Sequence, residues 1–372
     1  MHIVERVFRD PGRVEPDGVG PGEGVRGEVD PGEGVRGEGV RRESARGAAR
    51  GTPLEPPHRG VREGFLARPP HGPAGDPEVG VLVLSGSSGR IEEERCRILA
   101  REGMTALSIR WFGGSGQPPG ICEVPLETFE PAIALLRTGG ARRIGVLGTS
   151  KGAEAALHLS VLLPGVDAVV ALSPTSLTWA NVGPGKDVRD RPHRSSWTWR
   201  GEPLPFVPYD DSWTPAPARP EGGPVAIRGW YEQSRRTFAG RVDAARIPVE
   251  RSGADLVLVA GGDDEMWPSL PCAEELAARR RAAGLPVRVV GAPGAGHRPR
   301  LPGEGPAPAS AQFRHGGSAA ADAALGAAAW PHILDALRGP YGPAEGPGGD
   351  RWTGRPSAPP TGPLGRGQDS SK

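Results

Sequence analysis

The sequence predicts an α/β fold: a central, mostly parallel sheet with helices on both faces and a loop-rich insertion over one end. Three observations predict it. Short apolar runs such as VGVLVLS (79–85) and DAVVALS (167–173) have the unbroken hydrophobicity of strands buried on both faces. They alternate with segments of helical period, and a strand-helix-strand alternation implies right-handed crossovers and parallel pairing. Between residues 174 and 253 the alternation stops, then resumes.

The elements follow in order. VREGFLARPP (61–70) reads as an edge strand running into a loop, and VGVLVLS as a buried strand ending in the Gly/Ser loop GSSGR. IEEERCRILARE (91–102) is helical in pattern, MTALSIR (104–110) a strand, and PLETFEPAIALLR (125–137) a helix with Pro at its first position. RRIGVLG (142–148), KGAEAALHLSVLL (151–163) and DAVVALS continue as strand, helix and strand. The insertion at 174–253 has no long helical periodicity but holds five of the nine Trp. ADLVLVAG (254–261) and VRVVGA (287–292) are strands, SLPCAEELAARRRAAG (269–284) a helix, and 318–338 a closing helix expected to kink at Pro331.

The two ends differ in texture. Much of the content of 58 Gly and 43 Pro falls in residues 1–60 and 339–372, which are expected to be a disordered arm and tail around one folded domain at 61–338. PGEGVRGE at 21–28 recurs at 31–38 and matches G-x-G-x-x-G twice, but neither copy has the preceding strand and following helix that dinucleotide binding needs. A net charge of +1 argues against nucleic acid or an anionic membrane as main partner. No apolar stretch is long enough for a membrane span, so a soluble, cytoplasmic protein is expected. Cys96, Cys122 and Cys272 have neither C-x-x-C nor metal-ligand spacing, which leaves no expected disulfide, metal or other cofactor.

The chemistry centres on GTSKG (148–152), a G-x-S-x-G match that follows the strand RIGVL and opens the helix KGAEAALHL. That context is a nucleophile elbow. It lifts the Ser150 hydroxyl clear of the sheet and aims the Lys151 backbone N–H at a developing oxyanion. A serine needs a base held by a third group, in the order Ser, acid, His along this kind of chain. DLVLVAGG ends in Asp263 and Asp264, and VRVVGAPGAG ends in His297. The loop GSSG offers the second oxyanion donor, at Ser87. Trp179, Trp197, Trp199 and Trp213 of the insertion either wall an acyl pocket or simply cover the sheet.

Three segments converge further: LGTSKGAEAALHLS, IPVERSGADLVLVAGGDDEMWPS and GAPGAGH. Together they resemble the C-terminal catalytic domain of the acyl-CoA thioesterase and bile acid-CoA:amino acid N-acyltransferase family, over roughly residues 62–338. The resemblance implies an α/β-hydrolase fold, with Ser150 as nucleophile, His297 as base and the second Asp of the block, Asp264, as the acid. It implies acyl-CoA as substrate, and a Ser rather than a Cys nucleophile favours hydrolysis over transfer to an amino acid. The Gly/Pro/Arg/Glu arm stands where animal members of the family carry an immunoglobulin-like β domain. The rival readings are a carboxylesterase or dienelactone-hydrolase-like enzyme with the same triad, and an interaction protein with a vestigial hydrolase core.

Overall fold

The computed structural model of the protein describes residues 4–8, 61–69, 78–185, 192–215 and 223–339. In chain order they form β1 (Val4–Phe8), β2 (Gly64–Arg68), β3 (Val79–Leu84), α1 (Glu93–Arg101), β4 (Thr105–Ile109), β5 (Val124–Pro125) and α2 (Glu130–Thr138). β6 (Arg143–Thr149), α3 (Lys151–Leu162), β7 (Ala168–Leu172), β8 (Trp197–Trp199), β9 (Glu202–Pro203), α4 (Arg228–Thr237) and α5 (Ala239–Ala245) come next. β10 (Asp255–Gly261), α6 (Ser269–Ala282), β11 (Arg288–Ala292) and α7 (Ala319–Arg338) complete the order.

The main sheet runs β1-β2-β4-β3-β6-β7-β10-β11, antiparallel at β1, β2 and β4 and parallel beyond. This is the α/β-hydrolase arrangement, and strand periodicity explains its two cores. In β3, Leu82 and Leu84 pack on the face covered by α2, α3 and α6, whereas Val81 and Val83 pack on the face covered by α1 and α7. The runs are apolar throughout because both faces are covered. Among the described residues, no helix is long and apolar enough to cross a membrane.

Local chemistry shifts one expected element. Pro125 belongs to β5, and residues 126–129 form a 3₁₀ turn before α2 begins. Pro131 accounts for this: without an N–H, and with a ring that crowds the carbonyl four residues back, it is accommodated most easily in the first turn of an α-helix. α7 is a single helix through Pro331.

The arm also needs correction. Val4–Phe8 pairs antiparallel with β2, so β2 is not the sheet edge. VERVF sets two charged residues among apolar ones, and Glu5 reaches Arg97 of α1 at 2.7 Å. The rest of the arm, both G-x-G-x-x-G matches and residues 340–372 lie outside the described residues. Removing residues 1–8 is expected to lower the melting temperature by about 2–6 °C while kcat/KM stays within about twofold, because β1 is remote from the site described below.

The insertion carries two helices, α4 and α5, and the strands β8 and β9, which join β5 in a small sheet of order β5-β8-β9. It is tied to α3 by buried polar side chains. His158 of α3 bonds Thr178 at 2.9 Å, and burial, aided by the charge of Lys151, pushes its pKa down to about 3. Unfolded, the same imidazole titrates near 6.5. Between these values the unfolded chain binds a proton that the folded chain does not, so stability is fully present above about pH 6.5 and falls as the pH drops. From about pH 7 to about pH 5, urea unfolding should lose about 2 kcal/mol through this group. His158→Gln should flatten that slope.

Candidate active site

The carboxyl ends of β3, β6, β10 and β11 place the loops that hold Ser87, Ser150, Asp264 and His297 along one rim of the sheet, where parallel sheets gather their ligands. Ser150 joins β6 to α3 with φ 56° and ψ −120°. A residue other than glycine holds such a backbone at a cost of about 1–3 kcal/mol. Its N–H bonds the Leu172 carbonyl at 2.9 Å, and its hydroxyl is not used to cap α3. The flanking glycines are steric necessities. A Cβ on Gly148 would overlap the Gly152 carbonyl, and one on Gly152 would overlap the Ser85 carbonyl at the end of β3.

Asp264 is fully buried and His297 nearly so. The Asp264 Oδ2 lies 2.8 Å from His297 Nδ1, while its Oδ1 accepts the Met266 and Trp267 N–H groups at 2.8 and 3.2 Å. In the tautomer that donates Nδ1–H to this carboxylate, Nε2 is left as an acceptor. The imidazole is held further by backbone: its own N–H bonds the His315 carbonyl at 2.8 Å, and its carbonyl accepts the Ser173 hydroxyl at 2.9 Å. Trp267 packs edge-on against the ring, with centroids 5.6 Å apart. Asp263 turns the other way, its Oδ2 accepting the Gly317 N–H at 2.8 Å.

Two supporting residues were missed by sequence reasoning. Asp322 of α7 accepts the Gly296 N–H at 2.7 Å and so fixes the loop one residue before His297; burial, reinforced by Asp264, raises its pKa against the effect of that hydrogen bond. Arg228 of α4 donates to the carbonyls of Gly262 and Asp264 at 3.2 and 3.3 Å. Asp322 left a faint signal, as an acid in the first turn of an alanine-rich helix. Arg228 left none, because its partners lie far along the chain.

Ser150 and His297 line one cavity of about 110 Å³ together with Gly86, Ser87 and Thr149. Lys151 opens α3, so its N–H is among the first-turn amides that the helix itself leaves unpaired. Gly86 lies against Ser150: a Cβ there would come within 3.1 Å of the serine Cβ. Part of the remaining wall comes from residues between 298 and 315, in the long connection before α7 to which the sequence reading gave no role. A connection of that length is uncommon without a function, which was the available signal. A larger cavity, about 290 Å³, lies at the opposite end of β10 around Asp255 and holds none of these residues. Among the described residues no three His, Cys, Asp or Glu side chains converge on a metal position.

The four tryptophans are elsewhere. None lines the cavity at Ser150, and neither does any other described residue of the insertion. Trp197 is fully buried with its indole N–H on Glu154 at 2.9 Å, and Trp179 bonds Thr175 at 2.8 Å and stacks on Tyr209. Trp199 packs on the core, and Trp213 stacks on Trp230. The cause is a buried polar cluster. Glu154 accepts Lys151 Nζ at 2.8 Å and the Trp179 N–H at 3.1 Å, and Lys151 also reaches Ser196 at 2.8 Å. Burial lowers the Lys151 pKa, and Glu154 is its counter-charge. Glu154→Ala strands that ammonium and should cost about 3–5 kcal/mol in chemical denaturation. Trp197→Phe should cost about 1–3 kcal/mol and leave acyl-chain preference unchanged.

The family model described as BAAT / acyl-CoA thioester hydrolase C terminal matches residues 124–339. Over 304 residues the chain is 26% identical to acyl-coenzyme A thioesterase 1 of Homo sapiens, covering 76% of this chain and 61% of that protein. Over 229 residues it is 28% identical to acyl-coenzyme A amino acid N-acyltransferase 1 of Mus musculus, covering 60% and 49%. The chain therefore spans less than two thirds of the length of these relatives. A solved structure of a putative dienelactone hydrolase from Klebsiella pneumoniae aligns with TM-score 0.39 and 14% identity over 74% of this chain and 92% of that one.

Proposed function

The chain belongs to the BAAT / acyl-CoA thioester hydrolase C-terminal family, and from that premise we propose that it is a serine hydrolase that cleaves acyl thioesters, acyl-CoA first among them, through an acyl-enzyme intermediate. The observation that carries this reading is the meeting of Ser150, on its left-handed elbow, with the buried Asp264–His297 pair at one cavity. In this reading residues 61–338 are the catalytic domain.

The Ser150 hydroxyl attacks the thioester carbonyl while His297 Nε2 takes its proton, and Asp264 stabilises the resulting imidazolium. The carbonyl oxygen becomes an oxyanion that accepts hydrogen bonds from the backbone N–H groups of Lys151 and Ser87. The tetrahedral species collapses, the C–S bond breaks, and the thiolate leaves with the proton from His297. Water then repeats the sequence: His297 takes one of its protons, the hydroxide adds to the ester carbonyl, and collapse releases the carboxylic acid as Ser150 recovers its proton. Thioesters are reactive acyl donors, so a nucleophile, a base and two donors suffice.

A fluorophosphonate probe should label the wild-type protein at Ser150, and turnover of acyl-CoA should exceed that of a p-nitrophenyl ester of the same chain. Absence of labelling would remove the hydrolase reading. Ester turnover without thioester turnover would make the protein a carboxylesterase.

A further inference from the structure

The cavity at Ser150 is strongly basic for its size. Arg90, Arg95, Arg298 and Arg300 line it, against the one carboxylate of Glu92. Three of the four are paired: Arg90 with Glu92 at 2.9 Å, Arg95 with Glu304 at 2.7 Å, and Arg300 with Glu94 and Glu304 at 3.5 and 3.6 Å. Arg298 forms no ion pair among the described residues. Its guanidinium donates only to the Pro308 carbonyl, and it follows His297 directly in the chain. Burial, together with the charges of Arg90 and Arg300, lowers its pKa against the opposing pull of the Asp322 carboxylate, yet a guanidinium keeps its proton at neutral pH. A half-buried cation among other cations, with no ion-pair partner, is costly to hold. The cost is recovered when an anion enters the cavity.

We infer that Arg298, with Arg90 beside it, binds a free carboxylate carried by the acyl group of the substrate. The substrate class is then the half-thioester or half-ester of a short dicarboxylic acid, with its second carboxylate a few bonds from the scissile carbonyl. This rests on the proposed role of Ser150. Reach sets aside the phosphates of CoA as the anion at Arg298: Arg298 follows His297 and lines the same cavity as Ser150, whereas the phosphates stand a whole pantetheine arm away from the thioester sulfur. A separate cavity of about 480 Å³ shares Arg298, Arg300, Ala307 and His315 with the first and extends past Phe313, which leaves room for the departing thiol. Burial, Arg298 and His297 push His315 down to about 4, so at neutral pH it adds no charge to the wall.

Three substrates separate the possibilities: p-nitrophenyl butyrate, the mono-p-nitrophenyl ester of glutaric acid, and butyryl-CoA. In Arg298→Gln the kcat/KM ratio of the glutarate ester to the butyrate ester should fall about 10- to 100-fold, the range of a charge-assisted pair. Arg298→Lys, which keeps the charge, should recover part of that ratio. Equal losses on all three substrates would overturn the inference, and a loss confined to butyryl-CoA would move the anion to the leaving group and overturn it as well. A binding measurement stands apart from turnover. Glutarate titrated calorimetrically into the Ser150→Ala protein should bind, and should bind about tenfold more weakly once Arg298→Gln is added. Turnover that survives Ser150→Ala would remove the hydrolase reading alone; glutarate binding that is absent, or indifferent to Arg298, would remove this one.

Discussion

Ser150→Ala is expected to lower kcat/KM for both acyl-CoA and p-nitrophenyl esters by about 10⁴-fold or more and to abolish labelling by a fluorophosphonate. The fold should not register the change. The hydroxyl does not cap α3, and the elbow is set by Gly148 and Gly152, whose missing side chains leave room for the Gly152 and Ser85 carbonyls. Alanine holds φ 56° with no more difficulty than serine, so the melting temperature should move by less than about 2 °C. Steady-state kinetics with a melting curve on the same sample checks both halves. Turnover within tenfold of wild type would move the nucleophile elsewhere.

Asp264→Asn should cost about 10⁴-fold in kcat, and Asp263→Asn less than about tenfold. The two neighbours differ because their side chains diverge. The Asp264 carboxylate divides its oxygens between His297 Nδ1 and the amides of Met266 and Trp267, and an amide in its place would turn an N–H toward one of those donors. If the side chain flips to spare the backbone contacts, the imidazole is left in the wrong tautomer. Asp263 holds only the Gly317 N–H, on the surface, so its loss loosens a turn. A stopped-assay comparison of kcat at saturating substrate decides the matter, and the reverse ranking would assign the acid to Asp263.

Much of this was legible in the sequence because it is encoded locally. Continuous apolar runs can be buried only between two layers, so β3, β6, β7 and β10 and the helices between them could be read one after another. The elbow was legible for the same reason: G-x-S-K-G between an apolar run and a helical one specifies a tight turn whose glycines exclude side chains. The choice between Asp263 and Asp264 was not local. It came from resemblance, and its physical basis appears only where the strands meet: one carboxylate faces the loop after β11 and the other faces Gly317.

What tertiary structure alone decided concerns groups paired across long stretches of chain. β1 was hidden by the Gly, Pro and Arg that follow it, because five residues by themselves gain stability only when β2 presents an open edge. Aromatic density suggested that the insertion walls the acyl pocket, yet the buried carboxylate of Glu154 draws in the Trp197 indole and Lys151, and the tryptophans pack away from the cavity. The basic wall of the cavity was invisible for the complementary reason. Arginine is common throughout this chain, and which arginine lacks an ion-pair partner depends on where every carboxylate lies, a property of the folded arrangement that no segment carries by itself. The sequence by itself determined the layers, the elbow and the order of its chemical groups, since each follows from steric or hydrophobic demands of neighbouring residues. The packing of distant segments decided the pairing of charges, and with it the character of the cavity.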